Sequence, residues 1–158
     1  MRRLHKLKVD GSDVLVKYAS GESDEQMETI TLEASEPPLP ALKAALQALA
    51  VHLVALCEAP KGWADETEIR GVSLSDSDGV RGVTITGLRR LKLQNTPLVL
   101  NSPHATDCAR SEDDKSMKGL MPIGLVAAIE ALELEVWKYV DGEREQLALP
   151  FSVIDKAG

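Results

Sequence analysis

Short runs of alternating apolar and polar residues fill the first third of the chain. The runs lie in LHKLKV, VLVKYAS and METITLEA, and the clusters DGSD and GESD separate them. An alternation with a period of two is typical of strands with one buried face, and clusters of glycine, aspartate and serine favour tight turns. The pattern therefore predicts an antiparallel meander of three strands.

The segment that follows carries leucines at helical spacing. The prolines of SEPPLP end the third strand, and Pro40 suits the first turn of a helix. Leucines then recur every three or four residues, at positions 39, 42, 46, 49, 53 and 56. This spacing predicts one buried helix from Pro40 to Leu56. Its leucine side either packs on the sheet or forms a short dimeric coiled coil, so the oligomeric state stays open.

A second β region begins after residue 66. IRGVSLSD and VRGVTITG flank Asp78-Gly79, which predicts a hairpin. LRRLKL predicts that the strand continues, with Leu91 and Leu93 facing inward and Arg90 and Lys92 facing outward. TPLVLN predicts one further short strand, and Gly87 marks a possible bulge.

A long polar stretch and a second helix complete the pattern. Residues 101–119 show no periodicity, which predicts a loop. Apolar residues then repeat at helical spacing from about Pro122 to Val140, and Asp141-Gly142 provides a stop. The predicted fold class is α+β, with two helices packed on one face of a mainly antiparallel sheet in the order βββα-βββα. We predict one domain over 1–142 and an extended C-terminal tail over 143–158.

Composition supports a folded globular domain. The 158 residues are 44% hydrophobic and 27% charged, and with only 3% aromatic residues the core must be mainly aliphatic. A net charge of −7 argues against binding of nucleic acid over the whole surface. Two cysteines and no signal-peptide pattern in MRRLHKLKVDG favour a reduced, cytoplasmic setting. The longest apolar run, ALQALAVHLVALC, is too short and too interrupted to span a membrane.

Candidates for catalysis and for metal binding are weak. Asp113, Asp114 and Lys115 show the acid-x-lysine spacing of many metal-dependent nucleases, but they lie in a loop pattern instead of on a strand. His104, Asp107 and Cys108 lack the four paired ligands that structural zinc normally takes. P-loop, dinucleotide-binding and nucleophile-elbow motifs are absent. We therefore predict a non-enzymatic protein without catalytic residues, cofactor or metal, and keep a nuclease as an alternative.

Basic residues cluster twice in this acidic sequence. The clusters are Arg2, Arg3, Lys6 and Lys8 near the start, and Arg89, Arg90 and Lys92 in the second β region. If both clusters share a face of the sheet, that face could contact phosphates. No aromatic residues interleave with them, so a base-stacking platform is not predicted. Alternatively, these residues form the solvent side of amphipathic strands.

An apolar hexapeptide follows the last predicted helix. It consists of Gln146, Leu147, Ala148, Leu149, Pro150 and Phe151. This hexapeptide resembles the bacterial sliding-clamp-binding motif, whose longer form reads Q-L-x-L-x-[L/F]. The resemblance implies that Gln146 hydrogen-bonds at the hydrophobic cleft of the clamp, that the leucines fill apolar subsites and that Phe151 fills the deepest pocket. Pro150 favours the extended backbone that such a peptide needs.

The resemblance implies an accessory or modulator of DNA replication or repair. Such a protein competes for the clamp cleft or tethers another molecule to it. The chain as a whole resembles small uncharacterised proteins of phages and prophages, without a motif that carries this second likeness. Besides the nuclease, two alternatives remain: LALPFSV is a final edge strand packed in the core, or the chain is a DNA-binding protein of phage recombination that uses its basic residues.

Overall fold

A sheet of seven strands and three helices make up the described part of the chain. The structure, a computed structural model, describes residues 1–108 and 118–144. The strands are β1 Arg2–Asp10, β2 Asp13–Ser20, β3 Glu28–Ala34, β4 Thr67–Ser77, β5 Val80–Arg89, β6 Leu98–Asn101 and β7 Ala105–Thr106. The helices are α1 Pro40–Gln47, α2 Ala50–Leu56 and α3 Leu125–Val140, and two short 3₁₀ helices lie at Asp24–Gln26 and Lys61–Glu66.

The strands pair mainly with antiparallel neighbours. Their order across the sheet is β3-β2-β1-β4-β5-β6, and β7 pairs with β5. A parallel bridge joins Thr106 to Leu120. The predicted α+β class and the mainly antiparallel sheet are thus confirmed. The chain order differs from the predicted βββα-βββα. Three helices are present instead of two, and β7 adds a fourth strand to the second half of the chain.

Turn residues fix the hairpin that the sequence predicts. Asp78 and Gly79 have φ angles of 52° and 78°, and they connect Ser77 to Val80 across the end of β4 and β5. Positive φ at both central residues is the requirement of a type I′ turn, whose twist matches that of the strands. The Asp-Gly signal therefore predicted the position of this hairpin.

One face of the sheet carries the hydrophobic core. The register aligns a row of apolar residues across five strands: Leu32, Val16, Leu7, Val72 and Ile85. Leu7, Val16 and Ile85 are completely buried, and the same core includes buried residues of all three helices. Because strand side chains alternate, the residues between these positions point to the opposite face. That face is mostly polar, with Leu15 and Leu88 among its apolar residues, and we call it the open face.

The predicted helix from Pro40 to Leu56 is divided in two. Ala48 and Leu49 keep helical backbone angles, but the amide of Leu49 bonds to the carbonyl of Leu46, three residues back. This tighter turn separates α1 from α2. The leucine stripe nevertheless continues across it, since Leu46, Leu49 and Leu53 are all buried in the core. The prediction of one continuous helix was wrong, and the prediction of a buried leucine face is confirmed.

Gln47, at the end of α1, completes the hydrogen bonding of β4. Strand β1 pairs with β4 only from Gly71 to Ser73. Beyond this point, the side-chain amide of Gln47 takes over the pairing. Its Nε2 donates to the backbone carbonyl of Thr67 at 2.7 Å, and its Oε1 accepts from the backbone N–H of Ile69 at 3.2 Å. The side chain thereby occupies the place of a neighbouring strand.

Replacing Gln47 by alanine is expected to lower the free energy of unfolding by about 1 kcal/mol. Two backbone groups of β4 would lose their protein partners, and the cost is moderate because water can reach part of this half-buried site. Urea denaturation measures the change, and Gln94→Ala in an exposed loop serves as the matched control. An equal effect of both substitutions would contradict the role assigned to Gln47.

The end of β5 differs from its prediction. The strand ends at Arg89, and Leu93 is 92% exposed, so the predicted inward position of Leu93 was wrong. Gly87 pairs regularly with Ile69, and the irregular register lies on β4 between Ile69 and Gly71. A side chain at Gly87 would contact Leu53 at 2.7 Å. Glycine therefore serves the packing of α2 on the sheet at this position, and the predicted bulge lies on the neighbouring strand.

Part of the predicted 101–119 loop belongs to the sheet. Ser102, Ala105 and Thr106 are buried, and the Ser102 hydroxyl accepts a hydrogen bond from the Ile85 amide at 2.8 Å. The short strand β7 was missed because two residues carry no periodicity. The TPLVLN strand is confirmed as β6, and α3 begins at Leu125 after Gly124, whose φ is 89°.

Candidate binding surfaces

The end of α3 fixes where the chain leaves the domain. The Gly142 amide bonds to the Tyr139 carbonyl at 3.1 Å, and the Glu143 amide bonds to the Lys138 carbonyl at 2.9 Å. Gly142 has a φ of 104°. These two bonds and the left-handed glycine define a Schellman motif. The predicted helix stop at Asp141-Gly142 is confirmed.

The side chain of Arg144, two residues after Gly142, also contacts the domain. Its guanidinium donates to the Tyr139 carbonyl at 3.1 Å, pairs with Glu36 at 3.3 Å and lies 4.5 Å from the centre of the Tyr139 ring. The buried Tyr139 donates its hydroxyl to the Glu36 carbonyl at 2.5 Å, and burial raises its pKa. Glu36 lies just beyond β3. The chain is therefore held at the edge of the sheet up to residue 144.

A second contact network lies beside this exit. Arg2 pairs with Asp141 at 2.8 Å and lies 4.8 Å from the centre of the Trp137 ring, which meets Tyr18 edge-on. The hydrogen bond to Asp141 raises the pKa of Arg2, and the same bond lowers the pKa of Asp141. Arg2 therefore ties the start of β1 to the end of α3, which is a structural role.

Several predicted residues lie outside the described part of the chain. These are the six residues of the hexapeptide, Gln146, Leu147, Ala148, Leu149, Pro150 and Phe151, and the nuclease candidates Asp113, Asp114 and Lys115. The docking function of the hexapeptide and the alternative of a final strand both remain predictions.

The structure divides the first basic cluster. Arg2 lies on the helix side of β1, while Arg3 lies on the open face and pairs with Asp24. Lys6 and Lys8 are exposed on the open face, because they flank the buried Leu7. Neither lysine forms an ion pair among the described residues. In this cluster, Lys6 and Lys8 are thus the residues whose charge is available to a ligand.

Lys17 joins these two lysines on the open face. The register places Lys17 of β2 directly opposite Lys6, and both side chains are exposed. Like charges in directly opposed positions destabilise a sheet. Within residues 1–108 and 118–144, Lys17 also lacks an ion pair. The alternation in VLVKYAS could have placed Lys17 on the polar face, but only the strand register places it beside Lys6.

Lys17→Glu is expected to raise the free energy of unfolding by about 0.5 kcal/mol, since it turns a repulsive cross-strand pair into an attractive one. Chemical denaturation at low ionic strength measures the gain, and added salt should reduce it. Lys61→Glu, in the exposed 3₁₀ helix, is the control for the change in net charge. A loss of stability specific to Lys17→Glu would contradict the repulsion between Lys6 and Lys17.

The second basic cluster lines a cleft of about 700 Å³ at the end of β5. Its lining residues are Glu66, Glu68, Arg70, Leu88, Arg89, Arg90, Lys92 and Pro97. Arg89 is neutralised there, because it pairs with Glu66 at 2.6 Å and lies 4.0 Å from the centre of the Trp63 ring. Arg90 and Lys92 make no ion pair among the described residues. The two predicted clusters therefore do not form one continuous face of arginines and lysines.

Arg70 is a further cation in this cleft that the sequence did not single out. It lies at the irregular register of β4 and pairs with Asp10 at 2.6 Å and with Glu68 at 3.3 Å. Its Nε atom is buried and has no hydrogen-bond partner. Arg70 thus links β1 to β4 and leaves one donor unused.

Titratable groups elsewhere do not assemble a reactive centre in the described part of the chain. Asp107 accepts a hydrogen bond from the Arg81 amide, and bonding to Asp107 raises the pKa of the Cys108 thiol. Burial raises the pKa of Cys57 and lowers the pKa of His52. A higher thiol pKa means less of the reactive thiolate. Among residues 1–108 and 118–144, no group of three or more histidine, cysteine, aspartate or glutamate residues is placed to hold a metal ion.

Comparison with known proteins gives no relative to argue from. No family model matches the chain, and neither a curated protein nor a solved structure gives a significant match. Among the described residues, no helix is long and apolar enough to cross a membrane.

Proposed function

We propose that this chain is a non-enzymatic accessory protein that docks on the bacterial DNA sliding clamp through residues 146–151. The observation that carries the proposal is the hexapeptide itself. All four defined positions of Q-L-x-L-x-[L/F] are occupied, by Gln146, Leu147, Leu149 and Phe151. Apolar anchors beside one polar residue can give a short peptide affinity from little contact area.

The described end of the domain supports the proposal. Arg144 is fixed against Tyr139 and Glu36, so only Glu145 separates this anchor from Gln146. Two residues of extended chain span at most about 7 Å. A clamp bound to the hexapeptide would consequently lie close to the sheet edge at β3 and to the end of α3. Docking would bring the whole domain to the mouth of the clamp cleft.

This short connection favours a modulator that occupies the cleft. A domain held this near the peptide blocks the approach of other proteins that use the same cleft. We infer that the protein acts in replication or repair by competing for the clamp, in the cytoplasm where the clamp works. A phage or prophage origin fits such competition.

Calorimetric titration of purified bacterial sliding clamp with the intact chain tests the proposal. Saturable binding is expected, with one chain for each clamp cleft. A chain that gives no heat of binding at concentrations up to about 100 μM, where even weak peptide docking is visible, would contradict it.

The nuclease alternative makes a separate demand. It needs Asp113 and Lys115, neither of which lies among the described residues. An assay of DNA cleavage with magnesium or manganese, with Asp113→Asn as the control, distinguishes it from docking. Our proposal expects no cleavage by either protein.

A further inference from the structure

Three exposed lysines form a compact positive group on the open face. Lys6 and Lys17 lie directly opposite one another on neighbouring strands, and Lys8 lies two residues beyond Lys6. None of the three forms an ion pair among the described residues. The positive charges of these lysines repel one another, and like charges in directly opposed positions destabilise a sheet. Departures of this kind are expected at functional sites.

Most cross-strand neighbours of these lysines are polar, and Leu15, directly opposite Lys8, is the apolar one. The cross-strand row through Lys6 and Lys17 contains Thr31, Ser73 and Thr84. The row through Lys8 contains Leu15 and Glu33 toward β3, and Gly71 and Thr86 toward β5. Serine, threonine and glycine are all shorter than lysine, and the two longer neighbours, Leu15 and Glu33, lie on the β3 side of Lys8. A large, stiff polyanion can therefore approach all three.

The cleft at the end of β5 extends this positive surface. Lys8 aligns with Gly71 and then with Thr86, three residues before Arg89. From strand geometry, the end of β5 is about 14 Å from Lys8 and about 22 Å from Lys17. Arg90 and Lys92 line the cleft at that end without an ion pair among the described residues. Lys6, Lys8 and Lys17 on the open face, and Arg90 and Lys92 beyond the end of β5, are thus five cations without carboxylate partners among the described residues. We call this group of five residues the diagonal.

We propose that this diagonal, formed by Lys6, Lys8, Lys17, Arg90 and Lys92, binds the phosphate backbone of duplex DNA. The distance of about 22 Å from Lys17 to the end of β5 corresponds to six or seven base pairs at about 3.4 Å for each phosphate of one strand. The protein as a whole carries a charge of −7, so such a local positive track is the surface to which a polyanion is attracted.

The aromatic residues explain the preference for a duplex. Tyr18 and Tyr139 are buried, Trp137 lies under Arg2, and Trp63 lies under Arg89. None of these four rings is available on the open face to stack on an unpaired base. Binding of single strands normally relies on such stacking, whereas binding of a duplex backbone does not. The contact is therefore independent of base sequence.

This inference goes beyond docking on the clamp and does not depend on it. The diagonal and the hexapeptide share no residue. Leu147→Ala with Phe151→Ala should consequently leave DNA binding unchanged. If the clamp titration fails while the duplex binds, the proposed function falls and the inference stands. The reverse result would remove the inference alone.

Fluorescence anisotropy with a labelled 20-base-pair duplex of random sequence tests the inference. Five phosphate contacts predict that the logarithm of affinity falls with the logarithm of salt concentration at a slope of about −4.5, or about 500-fold between 50 and 200 mM. Replacing Lys6, Lys8 and Lys17 by glutamine should reduce the slope to about −1.8. A single strand of the same length should bind more weakly.

A second triple variant controls for net charge. Lys43, Lys61 and Lys138 lie away from the open face. Their replacement by glutamine removes the same number of positive charges as the first triple variant. This control should keep a slope near −4.5, and thermal melting should show that both variants are folded. The inference is overturned if the native chain does not bind the duplex at 25 mM salt, if both triple variants lose affinity equally, or if the single strand binds as tightly as the duplex.

Discussion

Replacing Leu147 and Phe151 by alanine together is expected to weaken binding to the sliding clamp by at least about 100-fold. A buried apolar anchor at an interface commonly contributes about 2 kcal/mol, and two such losses amount to about 4 kcal/mol if they add. Every 1.4 kcal/mol changes the dissociation constant about tenfold, so 100-fold is a conservative expectation. Calorimetry or surface plasmon resonance with the intact chain measures the loss.

The neighbouring apolar residues provide the control for this variant. Val153 and Ile154 also lie beyond residue 144, but they follow the hexapeptide. Their joint replacement by alanine removes similar apolar surface and should change clamp affinity less than about threefold, because neither occupies a defined motif position. If the two double variants bind equally, whether weakly or tightly, residues 146–151 are not the docking peptide.

Leu132→Ala is expected to lower the free energy of unfolding by about 3 kcal/mol. Leu132 is completely buried on α3 and belongs to the core between the helices and the sheet. Leucine-to-alanine changes in a core cost about 2–5 kcal/mol, because they lose buried surface and leave a cavity. The total stability of a domain is about 5–15 kcal/mol, so this single change removes a large part of it. Urea denaturation measures the difference.

Leu134 on the same helix is the matched control. Its side chain is 65% exposed, and it is two residues away from Leu132. Leu134→Ala should change stability by less than about 0.5 kcal/mol, as is usual for surface positions. Similar losses for both leucines would mean that α3 does not pack through the face that carries Leu132.

The periodic parts of the sequence predicted the fold class correctly. Strand alternation, the Asp78-Gly79 turn and the helix stop at Gly142 are local signals, and each has a direct counterpart in the backbone. Local signals suffice where one residue type meets one conformational need, such as a positive φ. The mainly antiparallel sheet followed from the spacing of these turns.

Features that depend on distant partners were not predictable in this way. The tight turn that divides α1 from α2 accompanies a Gln47 side chain that reaches β4, twenty residues further along the chain. Gly87 suggested a bulge, but position 87 requires glycine for another reason. A side chain there would collide with Leu53 of α2. Both errors arise because tertiary contacts override local preference.

The candidate basic surface shows the same limit. The sequence grouped Arg2 and Arg89 with the lysines by charge alone. In the structure, both arginines pair with carboxylates and lie against tryptophan rings. Lys17 was not singled out, because its proximity to Lys6 depends on the register of β1 and β2. The sequence shows where charged residues lie along the chain. Only the ion pairs and the strand register show which of these charges a ligand can reach.

Direct competition for the clamp cleft tests the central claim, that residues 146–151 occupy that cleft. A fluorescent peptide with a Q-L-x-L-x-[L/F] sequence is bound to purified sliding clamp, and the intact chain is added while polarisation is recorded. We predict that the native chain displaces the peptide completely and that the Leu147→Ala, Phe151→Ala variant does not. A native chain that leaves the peptide bound at saturating concentration would contradict the account.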